Sequence, residues 1–314
     1  ASMLSIAQIV AVTKAKVLQQ GASETEIKYL ITDSRKIVSA QDSLFFAIAG
    51  TRLDGHEYIS ELYAKGVRVF VVSKKVEVEP FEQAHFLQVK DVVEALQKIA
   101  AYHRLKFEYP VVGITGSNGK TIVKEWLYQL LHPNFNIVRS PKSFNSQIGV
   151  PLSLWQMSNS HNLALIEAGI SEPGEMDKLE KIIKPNIGVF TNIGDAHSEG
   201  FLNKRHKTKE KLKLFMHSNV LVYCKDHAEV NAAIAEVNAL NNGIKTFSWS
   251  IHSDADLKVT SVLHAKHSTF ISCYYNKRNF DFEIPFSDKA SVENALHCAA
   301  VMLLLEVDMD AIAE

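Results

Sequence analysis

The segment GITGSNGKTIVKEWLYQLL, residues 113–131, constrains the fold more than any other stretch of the chain. A short apolar run, VVGIT, leads into glycines at 113, 116 and 119 and then into Lys120 and Thr121. Val123, Trp126, Leu127, Leu130 and Leu131 follow with the spacing of one helical face. Strand, glycine turn and helix in this order leave the first helical N–H groups unpaired, at the positive end of the helix dipole. Gly116 and Gly119 permit positive φ and let phosphate oxygens approach the backbone. Lys120 offers a point charge to the β- and γ-phosphates, and Thr121 offers a hydroxyl to Mg²⁺. The segment therefore predicts nucleotide binding by Gly116, Ser117, Asn118, Gly119, Lys120 and Thr121. The competing reading is a glycine turn that caps a surface helix. The common P-loop spacing would place Gly at 114, where this chain has Ile114, so the loop is a variant.

Around this core the chain of 314 residues is long enough for two domains. In the first part, DSLFFAIAG (42–50) and GVRVFVVSK (66–74) read as buried strands, and DVVEALQKIAAYHRLKF (91–107) as a helix ending before Pro110. The expected organisation is a small mixed α/β domain over 1–108, then a central domain over 109–314. In the latter, NLALIEAG (162–169), NIGVFTNI (186–193) and NVLVYCKD (219–226) alternate with helical segments, which predicts a mostly parallel sheet covered by helices. LKVTSVLHA, HSTFISCYYN and NFDFEIPF add an antiparallel section, and 291–307 reads as an apolar helix.

Composition narrows the function classes. A formal net charge of -1 gives no overall attraction to nucleic acid or to an anionic membrane. No apolar run approaches the ~20 residues of a membrane span, and the N-terminus lacks the pattern of a signal peptide. Three scattered cysteines without a C-x-x-C pair argue against a disulfide framework or structural zinc and suit a reducing cytoplasm.

Loops that follow parallel strands gather at one sheet edge, where ligands bind. Glu167 closes one strand, and its carboxylate suits a hard cation. His197 follows the next strand, although imidazole is not a favoured Mg²⁺ ligand and a lone histidine is more often structural. KRHKTKEKLKLF then supplies a lysine-rich segment that could equally be a solvated helix face.

Taken together, GITGSNGKT, EAG, TNIGDAH and SFNSQIGVPLSL (143–154) resemble the Mur ligases, the ATP-dependent amide-bond-forming enzymes of peptidoglycan precursor synthesis. The loop T-G-x-N-G-K-T is characteristic of that family. TDSRKIVSAQDSLFFAIAGTRLDGHEYISELYAKGVRVFVVS and NIGDAHSEGF are most similar to the branch that adds D-alanyl-D-alanine to UDP-N-acetylmuramoyl-tripeptide. The resemblance implies ATP and two Mg²⁺ sites, both substrates of that branch, no nucleic-acid or membrane partner, and a monomeric cytoplasmic enzyme.

Residue by residue, it implies Lys120 on the β/γ-phosphates, Thr121 and Glu167 on the first Mg²⁺, and His197 at the second. It also implies a carbamylated metal-binding lysine. The pattern K-x-x-[LI]-F assigns this to Lys211, with Lys207 and Lys209 as competitors. Asp33, Ser34 and Arg35 match the DSR that contacts the UDP moiety, and an Arg fork suits a diphosphate. Asn145 and Ser146 match a pair near the sugar-peptide substrate where the family usually has two asparagines. Asn192 and Asn294 are implied nucleotide contacts. Asn294 keeps the second asparagine of H-N-x-x-N, but the first pair is replaced.

Mur ligases carry a third domain that closes over ATP and brings in the amino substrate, and the sequence ends where that domain is expected to begin. The expectation is a two-domain fragment with weak activity alone. A sibling ligase adding the third peptide residue, a folylpolyglutamate synthase, and a nucleotide-binding interaction protein with a decayed site stay open as alternatives.

Overall fold

The structure is a computed structural model that describes residues 3–22, 24–194, 200–240 and 243–307. His197 lies outside the described residues. The chain forms two units, 1–107 with 154–158, and 108–153 with 159–314. The fold class is α/β, with helices covering mostly parallel sheets.

In the first unit, β1 (Leu4–Ser5) leads into α1 (Ile6–Thr13), which is followed by β2 (Lys16–Gln19), β3 (Glu26–Ile27) and β4 (Tyr29–Ile31). Then come β5 (Ser43–Phe46), α2 (Ile59–Ala64), β6 (Val69–Val72), β7 (His85–Gln88) and α3 (Val92–Arg104). The five-stranded sheet runs β2-β7-β6-β5-β4, and only its β2–β7 pair is antiparallel. β5 and β6 are buried at every position, as expected for unbroken runs of Phe, Leu and Val between covered faces. Phe45, Phe70 and Phe86 pack together at its centre. Asp91 caps α3 by accepting from the Glu94 N–H.

The second unit opens with β8 (Val111–Thr115), α4 (Lys120–Leu131), β9 (Ile137–Arg139), α5 (Gly149–Trp155, whose last two residues count with the first unit) and β10 (Leu163–Glu167). It continues with α6 (Glu175–Ile183), β11 (Ile187–Phe190), α7 (Lys204–Leu212), β12 (Val220–Cys224) and α8 (Ala228–Leu240). β13 (Thr246–Ser250), β14 (Leu257–His264), β15 (Thr269–Tyr275), β16 (Arg278–Ile284) and α9 (Lys289–Leu304) complete it. One nine-stranded sheet results, ordered β16-β15-β14-β13-β12-β11-β8-β10-β9.

The antiparallel segments are therefore not a separate layer. β14 joins β13 in parallel through Trp249 and Leu257, and only β15 and β16 turn antiparallel. The strand β13 was not anticipated from the sequence, since five residues centred on one Trp carry little periodic signal. α4 and α9 bury Val123, Leu127, Leu131, Leu296 and Ala300 in a core with Val112, Leu165, Val189 and Val222 of the sheet. This packing fixes β8 and the start of α4 rigidly, and the functional groups sit on that corner.

Candidate active site

β8 lies between β11 and β10, so the chain steps to one side of β8 and later returns to the other. Ligand crevices form where strand order reverses in this way. The loop after β8 enters α4 through Gly119, at φ 85°, with no side chain capping the helix. Gly116 has φ 147°, and a Cβ there would fall on Thr191 Oγ1, so only glycine fits. A Cβ on Gly119 would lie 2.7 Å from Asn294 Oδ1, which places Asn294 against the loop.

The loop is held from β11. Ser117 N–H donates to the Asn192 carbonyl at 3.0 Å, and Asn118 N–H to Asn192 Oδ1 at 3.0 Å. Thr191 Oγ1 donates to the Asn118 carbonyl at 2.6 Å, and Gly194 N–H donates to Ser117 Oγ at 2.8 Å. The Asn192 carboxamide oxygen thus supports the loop backbone. Beneath Thr191, buried His297 donates through Nε2 to the Thr191 carbonyl at 2.8 Å and accepts from Trp249 Nε1 at 3.0 Å. Sequence reading missed His297, which is hidden in an apolar helix.

Burial holds the His297 imidazole down to about 4, with His227 adding to the effect while Glu293 and the Thr191 carbonyl oppose it. An unfolded histidine titrates near 6.5. The folded state therefore refuses a proton that the unfolded state accepts, and stability falls as pH drops from 6.5 to 4 and then levels. The expected loss from this group is about 3 kcal/mol. Denaturant unfolding across that window should give this slope for the wild type, and a His297→Gln variant, less stable at neutral pH, should lack it.

Lys120 donates from Nζ to the Gly116 carbonyl at 2.8 Å, and burial lowers its pKa against the opposing pull of Glu167. Thr121 Oγ1 donates to Glu167 Oε1 at 2.9 Å. Glu167 Oε2 faces the Lys124 ammonium at 2.7 Å, and neither side chain has any solvent exposure. Lys124 is a second residue the sequence did not reveal. Two hard oxygen donors adjoining uncapped helix N–H groups fit Mg²⁺ and a nucleotide phosphate, and the glycines leave room for the latter.

A pocket of about 330 Å³ opens from this corner, lined by Ser117, Lys120, Asn145, Ser146, Lys207 and Lys211 among others. The lysines of α7 are not a solvated face: Lys207 and Lys211 are buried, whereas Lys209 pairs with Glu236 at 3.0 Å. Burial, helped by the charges of Lys120 and Lys207, brings the Lys211 amine down to about 7. The Asn145 carbonyl accepts from the Gly169 N–H at 2.6 Å, and Ser146 Oγ accepts from the Gly149 N–H at the start of α5. Asp33, Ser34 and Arg35 belong to the first unit. There Arg35 grips Asp33 through Nε and Nη2, each at 3.0 Å, and holds that carboxyl at about 2.

A parallel sheet whose glycine loop opens a helix beside an acid and a cluster of buried lysines defines a P-loop nucleotide-binding domain. The chain belongs to the Mur ligase family: residues 114–302 match the Mur ligase middle domain, and residues 26–104 match the Mur ligase family catalytic domain. It is 28% identical over 299 residues to the UDP-N-acetylmuramoyl-tripeptide–D-alanyl-D-alanine ligase of Bacillus subtilis, covering 94% of this chain and 63% of that protein. The ligase of the same name from Borreliella burgdorferi is 31% identical over 297 residues, covering 90% and 62%. A crystal structure of MurF from Acinetobacter baumannii superposes with a TM-score of 0.87 at 25% identity, covering 99% of this chain and 67% of that one. The chain thus spans somewhat less than two thirds of the length of the curated relatives it matches.

Proposed function

We propose that this chain supplies the nucleotide site and the UDP-substrate site of an ATP-dependent ligase that joins D-alanyl-D-alanine to UDP-N-acetylmuramoyl-tripeptide. The observation that carries the reading is the convergence of Lys120, Thr121, Glu167, Lys207 and Lys211 at one sheet edge. The curated relatives bear the name of that reaction. Residues 1–108 would hold the UDP moiety, with Asp33, Ser34 and Arg35 in contact, and 109–314 would hold ATP.

Bound ATP and Mg²⁺ would supply a phosphoryl group that turns the tripeptide carboxylate into an acyl phosphate, open to attack by the dipeptide amine. The protein's part is positioning and charge neutralisation. Lys120, now on the Gly116 carbonyl, would serve the β/γ-phosphates, and the uncapped N–H groups at the start of α4 would bind the same anion. Thr121 and Glu167 would hold the first cation, and Lys211, with His197 as the family resemblance implies, would serve a second. Asn192 and Asn294, which touch the loop, would keep it in register with the nucleotide, while Asn145 and Ser146 would border the sugar-peptide. The expected assay result is ADP release that needs both UDP-N-acetylmuramoyl-tripeptide and D-alanyl-D-alanine, measured on the intact protein that carries this chain. Equal ADP release with folate or single amino acids would refute it.

Lys211 is suited to carbamylation. Its amine is about half neutral near pH 7, and the neutral form is the one that adds CO₂ and releases a proton, while two flanking lysines would offset the carbamate charge. In ¹³C-bicarbonate a carbamate resonance should grow as pH rises through about 7. It should vanish in Lys211→Arg and persist in Lys209→Arg; persistence in Lys211→Arg would remove the assignment.

A further inference from the structure

The Lys124–Glu167 pair does more than fill the core. Two fully desolvated charges are costly unless their geometry and remaining hydrogen bonds are satisfied. Lys124 has three ammonium protons. It donates to the Ser140 carbonyl at 2.7 Å and to the Lys142 carbonyl, and it faces Glu167 Oε2 at 2.7 Å. Lys142 adopts a positive φ of 48°, uncommon for a residue with a Cβ, and presents its carbonyl to this ammonium. Ser140 Oγ in turn accepts the Glu167 backbone N–H at 3.0 Å. The carboxylate is therefore anchored at its backbone and ion-paired with Lys124 at Oε2, which makes no hydrogen bond, while Oε1 accepts from the Thr121 hydroxyl.

We propose that Lys124 is a positioning residue that orients Glu167 toward the divalent cation it shares with Thr121. The same contacts tie that carboxylate to the segment leading to Asn145 and Ser146. The orientation of the cation ligand and the start of the acceptor-side segment are thus set by one ammonium. This proposal rests on the nucleotide–metal reading given under Proposed function. Residues that orient a metal ligand typically change metal affinity by about 10- to 100-fold when removed.

The test is Mn²⁺ titration, followed by electron paramagnetic resonance, of the 314-residue chain saturated with a non-hydrolysable ATP analogue. Binding of the analogue without metal is measured in parallel. Lys124→Met should weaken Mn²⁺ binding by about tenfold or more, while metal-free binding of the analogue stays at the wild-type level. A purely structural role would instead lower both together, and unchanged or tighter Mn²⁺ binding would also overturn the proposal. If Lys124→Met does not fold, Lys124→Gln decides the matter, because it keeps N–H donors for the Ser140 and Lys142 carbonyls but not the charge. Wild-type Mn²⁺ affinity in that variant overturns the positioning role, and a loss specific to Mn²⁺ supports it. Failure of the wild-type chain itself to bind Mn²⁺ with the analogue overturns the metal reading, and the positioning role with it.

Discussion

Replacing Glu167 by Gln is expected to destabilise the chain by about 3–5 kcal/mol, because it strands the Lys124 ammonium inside the protein. Lys124 and Glu167 have no solvent exposure, so water cannot take over the lost charge. The two carbonyls that Lys124 also reaches carry only partial charge and cannot replace a carboxylate. Thr121 loses its acceptor, or gains a weaker one, in the same substitution. Equilibrium unfolding in denaturant measures the loss directly. A value within about 0.5 kcal/mol of wild type, the range of ordinary surface substitutions, would mean that the pair is not desolvated as described.

Lys120→Ala should have the opposite profile, with little change in stability and a large loss of function. Its ammonium is partly buried, and among the described residues its hydrogen bond goes to the Gly116 carbonyl. Burial already disfavours its charged form, so removing the charge relieves a cost that offsets the lost bond. At the developing charge of a phosphoryl transfer, however, losing one preorganised cation typically costs about 10²- to 10³-fold in turnover. ADP formation by the intact protein should fall by about that factor, and unchanged ADP formation would show that the glycine loop serves no phosphate.

The sequence made the loop legible because its meaning is local. Glycines at 116 and 119, followed by Lys120 and Thr121, need only their own neighbours to define a phosphate cradle. The parallel strands were legible for a similar reason, since runs such as LALIE and IGVF are buried on both faces. The distant partners could not be read in this way. Lys124 stands on a helix beside Val123, and nothing nearby marks it as buried; Ser140, just after β9, and Glu167 of β10 make it so. His297 is hidden among Leu, Cys and Ala for the same reason, and its partners Trp249 and Thr191 come from separate strand ends.

In α7 the sequence left three lysines in contention. Lys207 and Lys211 lie four residues apart and share the buried face, while Lys209 turns toward Glu236 on α8. The K-x-x-[LI]-F pattern had ranked Lys211 first without that geometry. His197 falls outside the described residues, so its place at a second cation remains a proposal drawn from TNIGDAH.

In the proposed reaction a carboxylate is activated by phosphorylation at this site before the amide bond forms. This step is tested most directly by labelling the terminal carboxylate of UDP-N-acetylmuramoyl-tripeptide with ¹⁸O. The intact protein would turn over the labelled substrate with ATP, Mg²⁺ and D-alanyl-D-alanine, and the released phosphate would be analysed by mass spectrometry. An acyl phosphate requires one labelled oxygen to pass from the carboxylate to phosphate in each turnover, and the rate of this transfer should fall by about 10²- to 10³-fold with Lys120→Ala. Phosphate that takes its new oxygen from water alone would make the protein a hydrolase of ATP and contradict the account.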